Sequence, residues 1–171
     1  MKKLSIFILL IVSFACFGAQ DPRITEIRKE CKNIDRHVKD LSRKTFVFDW
    51  TYAGPAVDVF KDNYGAIKLI KVEYDGETSR GYYRYYFKDK SLIFVSSYIK
   101  SWCYLAYVIP PPEIPIQREK DYVYFYNNKL ISWKGDQKNG TVRSWRSTSD
   151  IARQREILAD VDTLLDSTYS R

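Results

Sequence analysis

Histidine is nearly missing from this chain of 171 residues: His37 is the single one, beside three cysteines. One imidazole excludes a multi-histidine metal site. Cys16, Cys31 and Cys103 lie far apart, with no Cys-x-x-Cys or Cys/His ligand spacing, which argues against zinc. Glycine is scarce, at seven residues. None of the seven builds a phosphate-cradling loop, a dinucleotide fingerprint or a nucleophile elbow. No metal and no cofactor are expected. Cys31 and His37 fall on one helical pattern but six positions apart, well separated around the axis. A nucleophile pair within that helix is therefore excluded; pairing of His37 with Cys103 through the fold stays open. His37 reads best as a helix-surface residue. A membrane span needs about 20 apolar residues, and the longest apolar run, residues 4–14, falls short of that.

That run belongs to the most informative segment. Lys2 and Lys3 precede it and small residues follow at 15–19, the layout of a secretory signal peptide. The expectation is a leader over residues 1–19 and a single domain over 20–171, periplasmic or secreted, with no membrane span once the leader is removed. Cleavage after Ala15 would make Cys16 a candidate lipidation site, since Ser13 and Ala15 are small at both recognition positions. Cleavage after Ala19 would leave Gln20 first. A soluble product is favoured, with a membrane-anchored lipoprotein as the alternative. Loss of Lys2 and Lys3 takes the formal charge from +7 to +5. That surface suits anionic partners or simply keeps the protein soluble. The charges are interspersed along the chain rather than gathered in a stripe, so nucleic acid is not expected as a partner. In an oxidising compartment Cys31 and Cys103 are a candidate disulfide; two free thiols in apolar niches are the equal alternative.

Periodicity sets the fold class. Asp21 and Pro22 suit a helix start. Ile24, Ile27, Cys31, Ile34, Val38 and Leu41 then recur at spacings of three and four, one face of an amphipathic helix. From Phe46 the period becomes two. Strands are expected over residues 46–52, 66–74, 82–87, 92–98, 102–109, 122–126 and 129–133, with polar turns at 75–81, 88–91 and Asn127-Asn128. The proline-rich residues 110–115 suit a stiff surface connection. Residues 147–150 resemble a capping box, and Ile151, Leu158, Val161 and Leu165, flanked by Ile157 and Leu164, form a second stripe. The reading is α+β: an antiparallel sheet of about six or seven strands with an N-terminal and a C-terminal amphipathic helix packed on it.

Tyr85-Tyr86-Phe87, a polar turn and Leu92-Ile93-Phe94 echo Tyr124-Phe125-Tyr126, Asn127-Asn128-Lys129 and Leu130-Ile131-Ser132-Trp133. This hairpin, tyrosine-rich strand, polar turn and Leu-Ile strand, resembles a pattern in exported bacterial proteins of unknown function. The resemblance covers roughly residues 81–134 and carries no catalytic residues onto the chain.

Two kinds of side chain remain as functional candidates. Asp49, between Phe48 and Trp50, is a candidate acid/base carboxylate for a glycosidase-like envelope hydrolase, with Asp58, Glu73, Asp75 or Glu77 as its partner. The tyrosines point elsewhere. Alternation sends Tyr83, Tyr85 and Phe87 to one face and Tyr82, Arg84 and Tyr86 to the other. Aromatics on both faces exceed what one core needs, and exposed tyrosines suit contact with a protein or an envelope glycan; the competing account is that tyrosine is simply a good strand residue. Tyr82, Arg84 and Tyr86, with Trp133 as anchor, are the candidate binding residues of a non-enzymatic domain. The hydrolase and a structural envelope lipoprotein are the alternatives. The oligomeric state is not legible.

Overall fold

The computed structural model describes residues 21–47, 56–76, 79–101, 117–137 and 148–169. Helix α1 (Pro22–Arg36) leads through a short 3-10 turn at Val38–Asp40 into strand β1 (Ser42–Val47). Strands β2 (Ala56–Lys61), β3 (Ile67–Asp75), β4 (Ser79–Lys88), β5 (Ser91–Ser101), β6 (Gln117–Tyr126) and β7 (Lys129–Gln137) follow, then helix α2 (Thr148–Tyr169). The strands form one antiparallel sheet in sequence order, β1 to β7. This is the expected α+β class.

Local chemistry accounts for the ends of these elements. Asp21 caps α1 by accepting from the Arg23 backbone N–H, and Pro22 occupies the first helical position. The β4–β5 turn places Asp89 and Lys90 at φ 50° and 63°, and the β6–β7 turn places Asn127 and Asn128 at 50° and 57°. Two consecutive left-handed residues give the twist that a two-residue hairpin needs. Asparagine adopts that conformation readily; Asp89-Lys90 does so in a turn read from the sequence only as polar.

Alternation divides the strands between two apolar clusters. On one face Ile70, Tyr85, Val95 and Val123 stand in cross-strand register and cluster with Ile157 and Val161 of α2. On the other, Leu69, Tyr86, Phe94 and Tyr124 stand in register and cluster with Ile24, Ile27, Cys31 and Ile34 of α1. Each helix thus meets its own face of the sheet. Burying an isoleucine contributes about 2 kcal/mol, so the α1 stripe supplies most of what holds that helix down.

Polar bonds fix its direction. Arg28 donates from Nε to the Tyr124 hydroxyl on β6 at 3.0 Å, and the Tyr86 hydroxyl on β4 donates to Asp35 Oδ1 at 3.0 Å. From residue 28 to 35 the helix rises about 10 Å, and two strand spacings are also about 10 Å. Helix α1 therefore crosses the strands instead of running along them.

Several expectations need correction. The strand β2 was not anticipated, because Gly54-Pro55 and the charges of Asp58 and Lys61 interrupt the apolar alternation. The expected strand over 46–52 begins earlier, at Ser42, and its residues beyond 47 lie outside the described set. So do the leader, Cys16, the expected strand at 102–109 with Cys103, and the proline-rich 110–115. Cys31 is a free thiol, buried in the α1 cluster, so the pairing with Cys103 is not formed. Burial, with the nearby charges of Asp35 and Glu30, pushes that thiol up to about 12. It is an inert core residue rather than a nucleophile.

Tyr86 corrects the expectation of an exposed ring: it is 3% exposed, beneath α1. Its hydroxyl is pushed well above the usual phenol range by burial and by the Asp35 carboxylate that it donates to. Tyr86→Phe removes a hydrogen bond to a charged group and is expected to cost about 1–2 kcal/mol. Tyr122→Phe, at a ring 40% exposed, is expected to stay within about 0.5 kcal/mol of the parent. Urea-denaturation midpoints of the two variants check both values.

Candidate functional site

Among the described residues, no buried side-chain nitrogen or oxygen lacks a hydrogen-bond partner, and no group of three or more His, Cys, Asp or Glu could hold a metal ion. No described helix is long and apolar enough to cross a membrane. The strand register shows where aromatic and charged side chains collect on the described surface.

Helix α1 is about 10 Å wide, whereas the 11 residues of β5 extend about 36 Å. A helix lying across the strands covers only part of such a face. The covered row is Leu69, Tyr86, Phe94 and Tyr124. Two residues further along each strand comes Lys71, Arg84, Ser96, Tyr122 and Lys134, all in register. The next row is Glu73, Tyr82, Tyr98, Lys120 and Asp136, and the one after it Asp75, Arg80, Lys100 and Arg118. Among the described residues, no helix covers these three rows.

Rings and cations on this open area come as pairs. The Arg84 guanidinium lies 5.1 Å from the centre of the Tyr82 ring, and the Lys120 ammonium 5.7 Å from that of Tyr98. Tyr82 and Tyr98 meet across β4 and β5 at 5.8 Å. Phe94 and Tyr122 stack nearly parallel, at 6.3 Å and 6°. Each cation–ring contact at a half-exposed site contributes about 0.5–1 kcal/mol and holds a long side chain in place.

The acids on the same area are partly occupied. Asp58 pairs with Arg43 at 2.7 Å and accepts from the Thr45 hydroxyl, and Asp75 stands opposite Arg80 in the β3–β4 register. Glu73 and Asp136 stand at the two ends of the middle row, Asp136 opposite Lys120, and with Lys71, Arg84, Arg118 and Lys134 the cations in register on these rows still outnumber the acids. The strand register thus brings cations that are distant in the sequence side by side on this face.

At the far end of this area a depression of about 560 Å³ is lined by Ala56, Glu73, Tyr74, Asp75, Arg80, Gly81, Tyr82 and Tyr98. It is wide open. Glu73 and Asp75 are both exposed, so neither has the apolar enclosure that a general acid requires. Asp49 and Glu77, the other carboxylates considered for hydrolysis, lie outside the described residues.

The candidate residues read from the sequence separate into three groups. Tyr82 and Arg84 belong to the open area. Tyr86 shares their face but lies under α1. Trp133 is in register with Val123 on the opposite face, packed half-buried against the α2 cluster, where its Nε1–H donates to Asp121 Oδ1 at 2.7 Å. It is no anchor for the surface that holds Tyr82. Sequence reasoning missed Tyr98, Tyr122 and Lys120, which the strand register alone brings beside Tyr82 and Arg84. His37 stays at the end of α1, its Nδ1 3.0 Å from the Asn33 carbonyl oxygen.

No protein-family model, curated protein or solved structure matches the chain.

Gly81 supports the end of the platform. A methyl group there would run into the Tyr98 carbonyl oxygen and come within 3.1 Å of Ile99 Cα and the Tyr74 hydroxyl. Backbone atoms cannot yield as a side-chain tip would. Gly81→Ala is expected to lower stability by about 1–3 kcal/mol, read as a fall in melting temperature. Gly65→Ala, which meets nothing within 4 Å but sits at φ +79°, separates crowding from backbone strain, at a cost of about 1–2 kcal/mol.

Proposed function

We propose that the chain is an exported protein, periplasmic or secreted, whose described domain binds another macromolecule without catalysing a reaction. The observation that carries this reading is the part of the α1-side sheet face that no described helix covers. There Tyr122 lies in register with Arg84 and Lys134, and Tyr82 and Tyr98 with Lys120; all but Lys134 stand on strands paired on both sides. Aromatic and arginine side chains are the residue types that dominate binding energy at protein surfaces. Export rests on the leader-like residues 1–19, and the exported bacterial proteins that the tyrosine-rich hairpins resemble agree with it. The amphipathic stripes of both helices serve the same end, since each presses one face of the sheet into shape.

The reading is tested on the full chain expressed with its own leader. Fractionation is expected to find it outside the cytoplasm with the leader removed, and mass spectrometry shows whether Cys16 carries acyl chains. Intact chain retained in the cytoplasm contradicts export. The double variant Tyr82→Ala/Tyr98→Ala, with melting temperature within a few degrees of the parent, is expected to lose at least about tenfold in retention on immobilised cell-envelope material. That corresponds to about 1.4 kcal/mol. Equal retention of parent and variant contradicts the site.

A further inference from the structure

We infer that the open face takes an acidic polysaccharide, laid across strands β3 to β6 with its sugar rings on the tyrosines and its anionic groups on the cations. This rests on the binding reading above and adds the chemistry of the ligand.

Position on the sheet comes first. An extended peptide that joins a sheet pairs with a free edge strand, and the edges here are β1 and β7. The rings of Tyr82, Tyr98 and Tyr122 and the cations Lys71, Arg84 and Lys120 lie instead on interior strands, whose backbone groups are already paired. Only side chains are left to make contact. A ligand that fits must therefore offer flat apolar area and negative charge at short repeat.

Spacing comes second. The row Glu73, Tyr82, Tyr98, Lys120 advances one strand at a time, about 4.8 Å per step, comparable to the advance of one sugar unit along an extended glycan. Tyr82 and Tyr98 occupy adjacent steps, with ring centres 5.8 Å apart. The apolar face of a sugar ring rests on a tyrosine ring, whose hydroxyl serves the sugar hydroxyls.

Charge comes third. Arg84 and Lys120 sit beside the two rings, and Lys71, Arg118 and Lys134 extend the positive field on either side. Arg43 pairs with Asp58, which blunts one acid that would repel an anion; Glu73, Asp75 and Asp136 share the rows with a larger number of cations. An arginine can hold a carboxylate or sulfate by two parallel bonds, so a carboxylate on alternate sugars would find a partner at Arg84. Single-stranded nucleic acid also combines flat rings with negative charge. Export outside the cytoplasm favours the glycan, and the polynucleotide becomes an outcome of the test.

The experiment measures affinity of the full chain, processed by its host, for polygalacturonate, alginate, hyaluronate and heparin. Dextran, poly-L-glutamate and poly(dT) run in parallel, at low and high salt. At least one acidic glycan is expected to bind, more weakly as salt rises. Its affinity is expected to fall at least about tenfold in Tyr82→Ala and in Arg84→Gln separately. Lys120→Gln, at an exposed position, gives the same reading should either variant fail to fold. Equal or tighter binding of dextran, poly-L-glutamate or poly(dT) overturns the assignment of ligand class and leaves the binding face standing. The same holds if no polymer binds while envelope retention still depends on Tyr82 and Tyr98. Binding of an acidic glycan that none of the three substitutions weakens overturns the site, and the binding reading falls with it.

Discussion

A narrow helix laid across long strands is the constraint on which the rest of this molecule depends. Two bonds set the crossing, Arg28 to Tyr124 and Tyr86 to Asp35, and the isoleucine stripe of α1 fills the space between them. Those contacts decide which tyrosines are core and which are surface. Tyr86 and Tyr124 are in the covered row and buried; Tyr82 and Tyr122, two residues away on the same strands, are not. Chemically identical side chains are given different roles by a distance of about 7 Å along a strand.

The sheet pays for this arrangement with two separate cores. Each strand from β2 to β6 sends apolar residues both ways, so a single helix would leave one face wet. The α2 cluster answers for Ile70, Tyr85, Val95 and Val123, as the α1 cluster answers for Leu69, Tyr86 and Tyr124. With both faces anchored at the same rows, the remaining rows of the α1 face can be polar without loss of the fold. Cation–ring pairs there replace apolar packing: Arg84 on Tyr82 and Lys120 on Tyr98 order the surface while keeping it hydrated.

Much of this fold was legible in the sequence, and for physical reasons. The three-and-four spacing from Ile24 to Ile34 gave helix α1 and its buried residues, Cys31 included. The two-residue period gave the split of Tyr82, Arg84 and Tyr86 from Tyr83 and Tyr85, and Asn127-Asn128 marked the last hairpin. Depth along a strand was not legible. Alternation tells which face a residue joins but carries no information on which row a helix covers, so Tyr86 was grouped with Tyr82. Register was equally hidden. Trp133 looked like a surface anchor until its pairing with Val123 put it on the opposite face, and the basic area formed only once Lys71, Arg84, Lys120 and Lys134 were aligned across strands.

The central claim is that α1 shields one row of tyrosines and leaves the next rows on its face open. Hydroxyl-radical footprinting of the folded chain, read by mass spectrometry at single tyrosines, tests it directly. Tyr122, Tyr82 and Tyr98 should be oxidised readily, while Tyr86 and Tyr124 stay protected until the protein is unfolded. Comparable oxidation of Tyr86 and Tyr82 in the folded state would contradict the account.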